Sequence, residues 1–382
     1  MVWSTVRDRH PDPKLNGLNW QAIHDQTRPR IAAAKSIDEV REILREMLAK
    51  LGASHYAIIP KEMYEPIRDA PAGNANPGIT PVLTGGKALV GSVDPDSPAA
   101  KAGIKPGMEI ESINGAAVDS LTKLADTIGD QRAIARKLNG PPGEAVKLDV
   151  VDAGGTKKEV EIPRTEPEGK MVSFGNLPAM RLTFEAHKLP DGVGYIKFNE
   201  FLDPVSIMPK FEAALKDFGK SAGIILDFRG NPGGIGVMAM GIAGFFIDKE
   251  GQKLGEMKMR DATLKFVIFP RAETYKGPLA ILVDSGSAST TEILAQGLQD
   301  LKRARIFGTQ TAGAALPSDI IRLPNGDGFQ YAQASYTSEK GKILEGNGVT
   351  PDVEVRPTQE ALLSGHDLVI EAADSWIRSN PQ

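Results

Sequence analysis

Apolar positions along the chain keep different spacings in different stretches. Val40, Ile43, Leu44, Met47, Leu48 and Leu51 share one helical face, opened by the capping box Ser36-Ile-Asp-Glu39 and closed by Gly52. Residues 1 to about 60 therefore read as helical, ending in Ala53–Pro60, a turn that feeds a short strand. Residues 78 to about 163 have the pattern of a compact unit of short strands. From Met171 onward, strands alternate with helices. Residues 193–198, 224–228, 279–283 and 304–307 are strands, and Ser206 to Phe218 is amphipathic. Such alternation predicts an α/β layer built on a mainly parallel sheet.

The stretch from Pro278 to Leu298 joins these spacings. Leu279 to Val283 has the length and β-branched content of a buried strand, and Ile293, Leu294 and Leu298 recur at helical spacing. Between them lies the elbow Ser285-Gly286-Ser287-Ala288-Ser289. A strand turning sharply into a helix presents a hydroxyl and aims free N–H groups at whatever the hydroxyl attacks. This suits a nucleophile with its oxyanion hole, and it also suits a Ser/Thr-rich helix cap. A second loop, Asp227-Phe-Arg-Gly-Asn-Pro-Gly-Gly-Ile-Gly236, follows an earlier strand. It lacks a Gly-Lys-Ser/Thr ending and GxGxxG spacing, so a phosphate cradle is disfavoured and free N–H groups for an anionic centre are the better reading.

Composition narrows the chemistry. The 382 residues suggest two or three domains, and 41% hydrophobic with 25% charged residues is ordinary for a globular protein. Net charge is -4, with 45 basic against 49 acidic residues and no long basic run, so a nucleic-acid or anionic-membrane partner gains no support. No apolar window of membrane-spanning length occurs, and Met1–His10 lacks the apolar core of a signal peptide. That start predicts either a cytoplasmic protein or one whose signal was removed earlier. The absence of cysteine excludes disulfides and thiol chemistry. His10, His24, His55, His187 and His366 are scattered, so neither a metal site nor a cofactor is expected. His55, in the turn after the helices, is one of few candidates for a general base.

Two resemblances extend this reading. Ala88 to Gly115, with Ser97-Pro98-Ala99, Ala102-Gly103-Ile104 and Gly107-Met-Glu-Ile, resembles a PDZ domain, although Met108 stands where that family usually has aspartate. The resemblance implies binding of a peptide C-terminus by strand addition. The carboxylate loop would be Gly78-Ile79-Thr80-Pro81, with Pro81 removing one donor.

Asp227–Gly234, Gly286–Glu292 with Gln299-Asp300, and Glu345–Asp352 resemble the C-terminal processing (tail-specific) peptidases, whose PDZ domain precedes a crotonase-like αββ core. The division implied is 1–77 helical region and linker, 78–165 PDZ domain, and 166–382 peptidase core. Aligning Gly-Ser-Ala-Ser puts the nucleophile on Ser289. Well-known members pair it with a lysine, but here Ala314 occupies that place, and Lys302, Lys340 and Lys342 offer no obvious substitute. A branch that includes the tricorn protease core uses serine, histidine and glutamate. Ser54-His55 and Glu345 ahead of Gly348-Val-Thr-Pro-Asp352 match that pattern.

The resemblance thus implies a serine endopeptidase with Ser289 as nucleophile and His55 as base. Glu345 would orient His55 directly or through Ser54, and the oxyanion would be held by N–H groups of Thr290 and the Gly233-Gly234 turn. Asp227 and Arg229 are expected to be structural and Glu292 to serve its helix start. Expected partners are polypeptide C-terminal tails, with oligomerisation left open and an exported, commonly periplasmic, location following family habit. The alternatives are a non-catalytic peptide or apolar-ligand binder on the same scaffold, and a Ser-Lys enzyme whose lysine was replaced at Ala314.

Overall fold

The computed structural model describes residues 1–61, 75–122, 130–166, 169–177 and 179–380. A six-stranded sheet forms its centre, in the order Phe184–Lys188, Gly194–Phe198, Ile224–Asp227, Leu279–Val283, Arg305–Gly308 and Val353–Glu354. The first pair is antiparallel and the others are parallel. Parallel neighbours need crossovers, which the helices Pro204–Asp217 and Thr290–Asp300 supply.

Strand periodicity sends alternate side chains to opposite faces. Ile281 and Val283 join Ile196, Leu226 and Ile306 under Phe211, Ile242, Leu294 and Leu298. Ala280 and Leu282 join Tyr195, Ile225 and Phe307 under Val369, Ala373 and Ile377 of the helix Leu368–Ser379. Burial on both faces explains the unbroken apolar run from 279 to 283. The rim strands differ: Glu185, Ala186, His187 and Lys188 are exposed, and Val353–Glu354 is short.

Residues 1–61 form the helices Val2–Arg9, Trp20–Ala33 and Ile37–Ala49, then the strand Ala57–Ile59. That strand pairs with Gly328–Ala332, which pairs with Ser318–Arg322, and the helices cover this sheet through Trp20, Met47, Leu48 and Leu51. Arg41, on the same helix, is buried because it forms an ion pair with buried Asp327 at 2.7 Å. The turn holding Ser54 and His55 is thus fastened to both the helices and the sheet.

A separate antiparallel sheet runs Ile79–Thr84, Lys87–Val93, Glu109–Ile113, Ala145–Val151 and Lys157–Pro163, with a core of its own that includes Val90, Ile110, Leu148 and Ile162. Met108 lies buried in that core, a place an aspartate could not share without a partner. The linker expected from Pro66 to Gly78 falls largely outside the described residues. In the carboxylate loop expected at Gly78-Ile79-Thr80-Pro81, Ile79 and Thr80 belong to an edge strand paired on one side with Val93 and Ser92. Gly78 alone is corrected as a donor, since its N–H goes to Asn76 Oδ1 at 2.8 Å. A donor engaged in this way is not free to take a carboxylate. Among the described residues, no helix is long and apolar enough to cross a membrane.

Candidate active site

Ser289 sits between the central strand Leu279–Val283 and the helix Thr290–Asp300, with φ 55° and ψ -119°. A non-glycine residue in so sparsely populated a region costs about 1–3 kcal/mol, so the surroundings must hold it there. They do: its N–H donates to Ala314 O at 2.8 Å and to Glu292 Oε2 at 2.9 Å. Ser287, two residues earlier, is buried and donates to Phe228 O at 2.8 Å. Of those two hydroxyls only Ser289 reaches the cavity.

That cavity has a volume of about 600 Å³ and is lined by Ser289, His55, Ser54, Gly233, Gly234 and Ala314. Phe174, Leu177, Met180, Leu202, Ile235 and Ile320 give it apolar walls. His55 therefore shares a cavity with the elbow serine although the two lie far apart in the chain. The other four histidines lie elsewhere, beside Asp12, Asp25, Glu185 and Glu371.

Behind His55 runs a chain of contacts. Ser54 Oγ lies 2.7 Å from His55 Nδ1 and 2.8 Å from Glu345 Oε2. Ser54 N–H donates to Glu345 Oε1 at 2.6 Å, and Ala315 N–H donates to Oε2 at 3.0 Å. The indirect route from Glu345 to His55, through Ser54, is the one present. An ionised carboxylate only accepts, so the single Ser54 hydroxyl proton goes to Glu345, and Ser54 Oγ accepts from His55 Nδ1–H. The ring's Nε2 then carries the lone pair that a general base requires. Burial, then the Glu345 charge, push the Tyr56 phenol above its ordinary pKa, so it stays neutral beside the carboxylate.

The expected oxyanion donors divide. Thr290, first in its helix, has an N–H without a protein acceptor among the described residues. Gly233 is corrected: its N–H is spent on Asn231 Oδ1 at 2.9 Å, which leaves Gly234 as the donor available from that turn. Gly233 contributes by its missing side chain. A Cβ there would lie 2.7 Å from Thr290 N and 2.8 Å from Ser289 Cβ, and its φ is +96°. Only glycine allows the turn to come this close.

Asp227 and Arg229 form a structural network beside the site. Asp227 is fully buried and is bonded by the Tyr195 hydroxyl at 2.8 Å and Arg229 Nη2 at 2.6 Å, while Arg229 Nη1 reaches Asp367 at the start of the last helix. Glu292 does more than serve its helix start. It also accepts from Thr311, Gly313 and Ala314. Nothing in the spacing of these residues indicates that link.

The description "Peptidase family S41" matches residues 192–355, "Tricorn protease C1 domain" matches 1–49, and "PDZ domain" matches 89–152. These matches, together with relatives named carboxyl-terminal-processing peptidase or protease, support a C-terminal processing serine peptidase family. Among its curated relatives is carboxyl-terminal-processing peptidase 3, chloroplastic, of Arabidopsis thaliana, 28% identical over 368 residues, which cover 92% of this chain and 67% of that protein. The solved photosystem II D1 C-terminal processing protease aligns with TM-score 0.63 at 21% identity, covering 99% of this chain and 95% of its own. Mature CPAF aligns with TM-score 0.67 at 15% identity, covering 99% and 95%. These two likenesses carry the fold. The relatives that match in sequence carry the activity: this is a serine-type peptidase acting on polypeptides, and the alternative of an inactive binding protein is not favoured.

Proposed function

We propose that this peptidase cleaves unfolded or C-terminally tagged proteins through an acyl-enzyme, with Ser289 as nucleophile and His55 as general base. One observation carries the reading: Ser289 and His55 line a single cavity, and His55 is backed by Ser54 and Glu345. His55 Nε2 takes the proton of the Ser289 hydroxyl as its oxygen adds to the scissile carbonyl, and the resulting imidazolium gives that proton to the leaving amine. Water then enters and loses a proton to Nε2 as its oxygen adds to the acyl carbon. The Ser289 oxygen leaves and takes that proton back, restoring hydroxyl and neutral imidazole. Glu345, acting through Ser54, keeps Nδ1 protonated and stabilises the imidazolium. The oxyanion is held by the N–H groups of Thr290 and Gly234, and losing one such donor costs roughly 3–4 kcal/mol of transition-state stabilisation.

Ala314 fits this branch, since its backbone is bound at both N–H and C=O and its methyl group is buried. A lysine-dependent enzyme disabled at this position would have no need of the Ser54–Glu345 apparatus. The division into 1–77, 78–165 and 166–382, capture of substrate C-termini by the middle segment, and an exported location belong to the same proposal.

Digestion of β-casein by the wild type, Ser289→Ala and His55→Ala is the test. The expected result is hydrolysis by the wild type alone. Activity retained by His55→Ala would remove the histidine from the mechanism.

A further inference from the structure

Glu292 is fully buried, one turn into the helix that Ser289 begins. Its Oε1 accepts from the Thr311 hydroxyl and from Gly313 N–H at 2.8 Å. Its Oε2 accepts from Ser289 N–H at 2.9 Å and Ala314 N–H at 3.0 Å. Capping the helix requires the Ser289 bond alone. The other bonds reach a strap, residues 311–315, whose next N–H, that of Ala315, goes to Glu345 at 3.0 Å. Consecutive residues of one strap are therefore gripped by different carboxylates. Glu292 is attached to the nucleophile, and Glu345 is attached through Ser54 to the imidazole. Ala314 O closes the bracket by accepting from Ser289 N–H at 2.8 Å.

We propose that Glu292 is a positioning residue of the peptidase reaction, locking the 311–315 strap to the Ser289 elbow and thereby setting the reach from the Ser289 hydroxyl to His55. The proposal rests on the reading of Ser289 and His55 as the reacting pair. Without Glu292, the elbow keeps two backbone ties to the strap, Ser289 N–H to Ala314 O at 2.8 Å and Ala312 N–H to Ser287 O at 3.0 Å, but the strained Ser289 conformation loses one of its two anchors. Thr311 acts with Glu292: its hydroxyl donates to Oε1 and accepts from Val349 N–H at 2.7 Å, extending the lock to the segment after Glu345.

Glu292→Gln keeps the shape but turns an NH2 group toward N–H donors. Steady-state kinetics on a fluorogenic peptide, the rate of Ser289 labelling by a fluorophosphonate, and thermal melts are measured together. The expected outcome is folded protein with kcat lowered by about 10²-fold, the loss typical of a displacement near 1 Å, and labelling slowed in parallel. KM should stay within about threefold, because ground-state binding of the peptide is not what changes. Thr311→Val removes one hydroxyl, with its donation to Oε1 and its acceptance from Val349 N–H, should fold, and should lower kcat by about tenfold.

Three outcomes would overturn the proposal. One is a folded Glu292→Gln enzyme with kcat near wild type. A second is a loss of activity that only tracks the unfolded fraction while the folded molecules label normally. The third, should Glu292→Gln not fold, is an unchanged kcat in Thr311→Val. Ser289→Ala serves as the control: if it hydrolyses the peptide as the wild type does, the reading of the site fails independently of Glu292.

Discussion

Ser54 meets Glu345 twice, its N–H at 2.6 Å from Oε1 and its hydroxyl at 2.8 Å from Oε2, so both atoms of one small residue are committed to a carboxylate 291 positions away. The double contact fixes Ser54, and with its proton committed to Glu345 its Oγ presents a lone pair to His55 Nδ1. Ser54→Ala removes that acceptor while leaving the N–H bond in place. The expected effect is a kcat lower by about 10 to 10²-fold, smaller than the roughly 10² to 10⁴-fold cost of losing the base itself in His55→Ala. Peptide hydrolysis by the two variants side by side checks the order. Equal losses would mean that Ser54 and His55 do not act in series.

Gly233→Ala tests the close approach of the turn to the nucleophile. The new methyl group meets Thr290 N and Ser289 Cβ, and the positive φ adds strain. Neither neighbour can yield without moving the elbow. We expect kcat to fall by at least about 10²-fold, with slower fluorophosphonate labelling. Wild-type labelling in this variant would contradict the packing described.

Ala314 gives a different test. Its side chain is 3% exposed, and its N–H and C=O are both bound to the elbow. A lysine placed there in a His55→Ala background would enter the cavity shared with Ser289, but an ammonium group of ordinary pKa is protonated near neutral pH and cannot take the serine proton. The double variant His55→Ala with Ala314→Lys should stay as inactive as His55→Ala alone, read by casein digestion. Recovery of activity would show that the two branches of the family interchange more easily than the strap permits.

Acid stability should depend on Asp227. Burial opposes its ionisation, but the neighbouring Arg229 charge and hydrogen bonds outweigh it and hold the carboxyl at about 2, against an ordinary value of 3.8. A depressed folded-state pKa stabilises the fold above the unfolded value, and this stabilisation disappears as pH falls through the folded one. The contribution is thus fully present above about pH 4 and is lost toward pH 2. Asp227→Asn leaves Arg229 without its buried partner and should cost about 3–5 kcal/mol at neutral pH. Thermal melts across pH should give this variant a shallower slope between 4 and 2 than the wild type. Parallel slopes would exclude Asp227 as a source of the acid sensitivity.

Much of the architecture was legible because strand and helix periodicities are local. Leu279–Val283 reads as doubly buried, and Met47, Leu48 and Leu51 read as one helical face, without knowledge of their partners. The elbow at residues 285–289 stood out for the same reason, being contiguous in sequence, but choosing Ser289 within it needed the family alignment. His55 needed the family pattern, since a lone histidine in a turn carries no sign of where its ring points. The misreadings concern hydrogen bonds. Gly78 and Gly233 looked like available donors, and each N–H is taken by an asparagine two residues earlier. An Asx turn of this kind leaves no apolar rhythm to detect. Arg41 sits on an otherwise apolar face because Asp327, far along the chain, neutralises it. No spacing rule connects the two.

The rims of the central sheet also bear on the work this enzyme does. One rim carries exposed charged and polar side chains at Glu185, His187 and Lys188, and the other is the two-residue strand Val353–Glu354. Long, flat, apolar rims recruit extended chains into aggregates. A peptidase that handles unfolded polypeptides meets such chains constantly. Rims this brief and this charged give such chains no template on the central sheet.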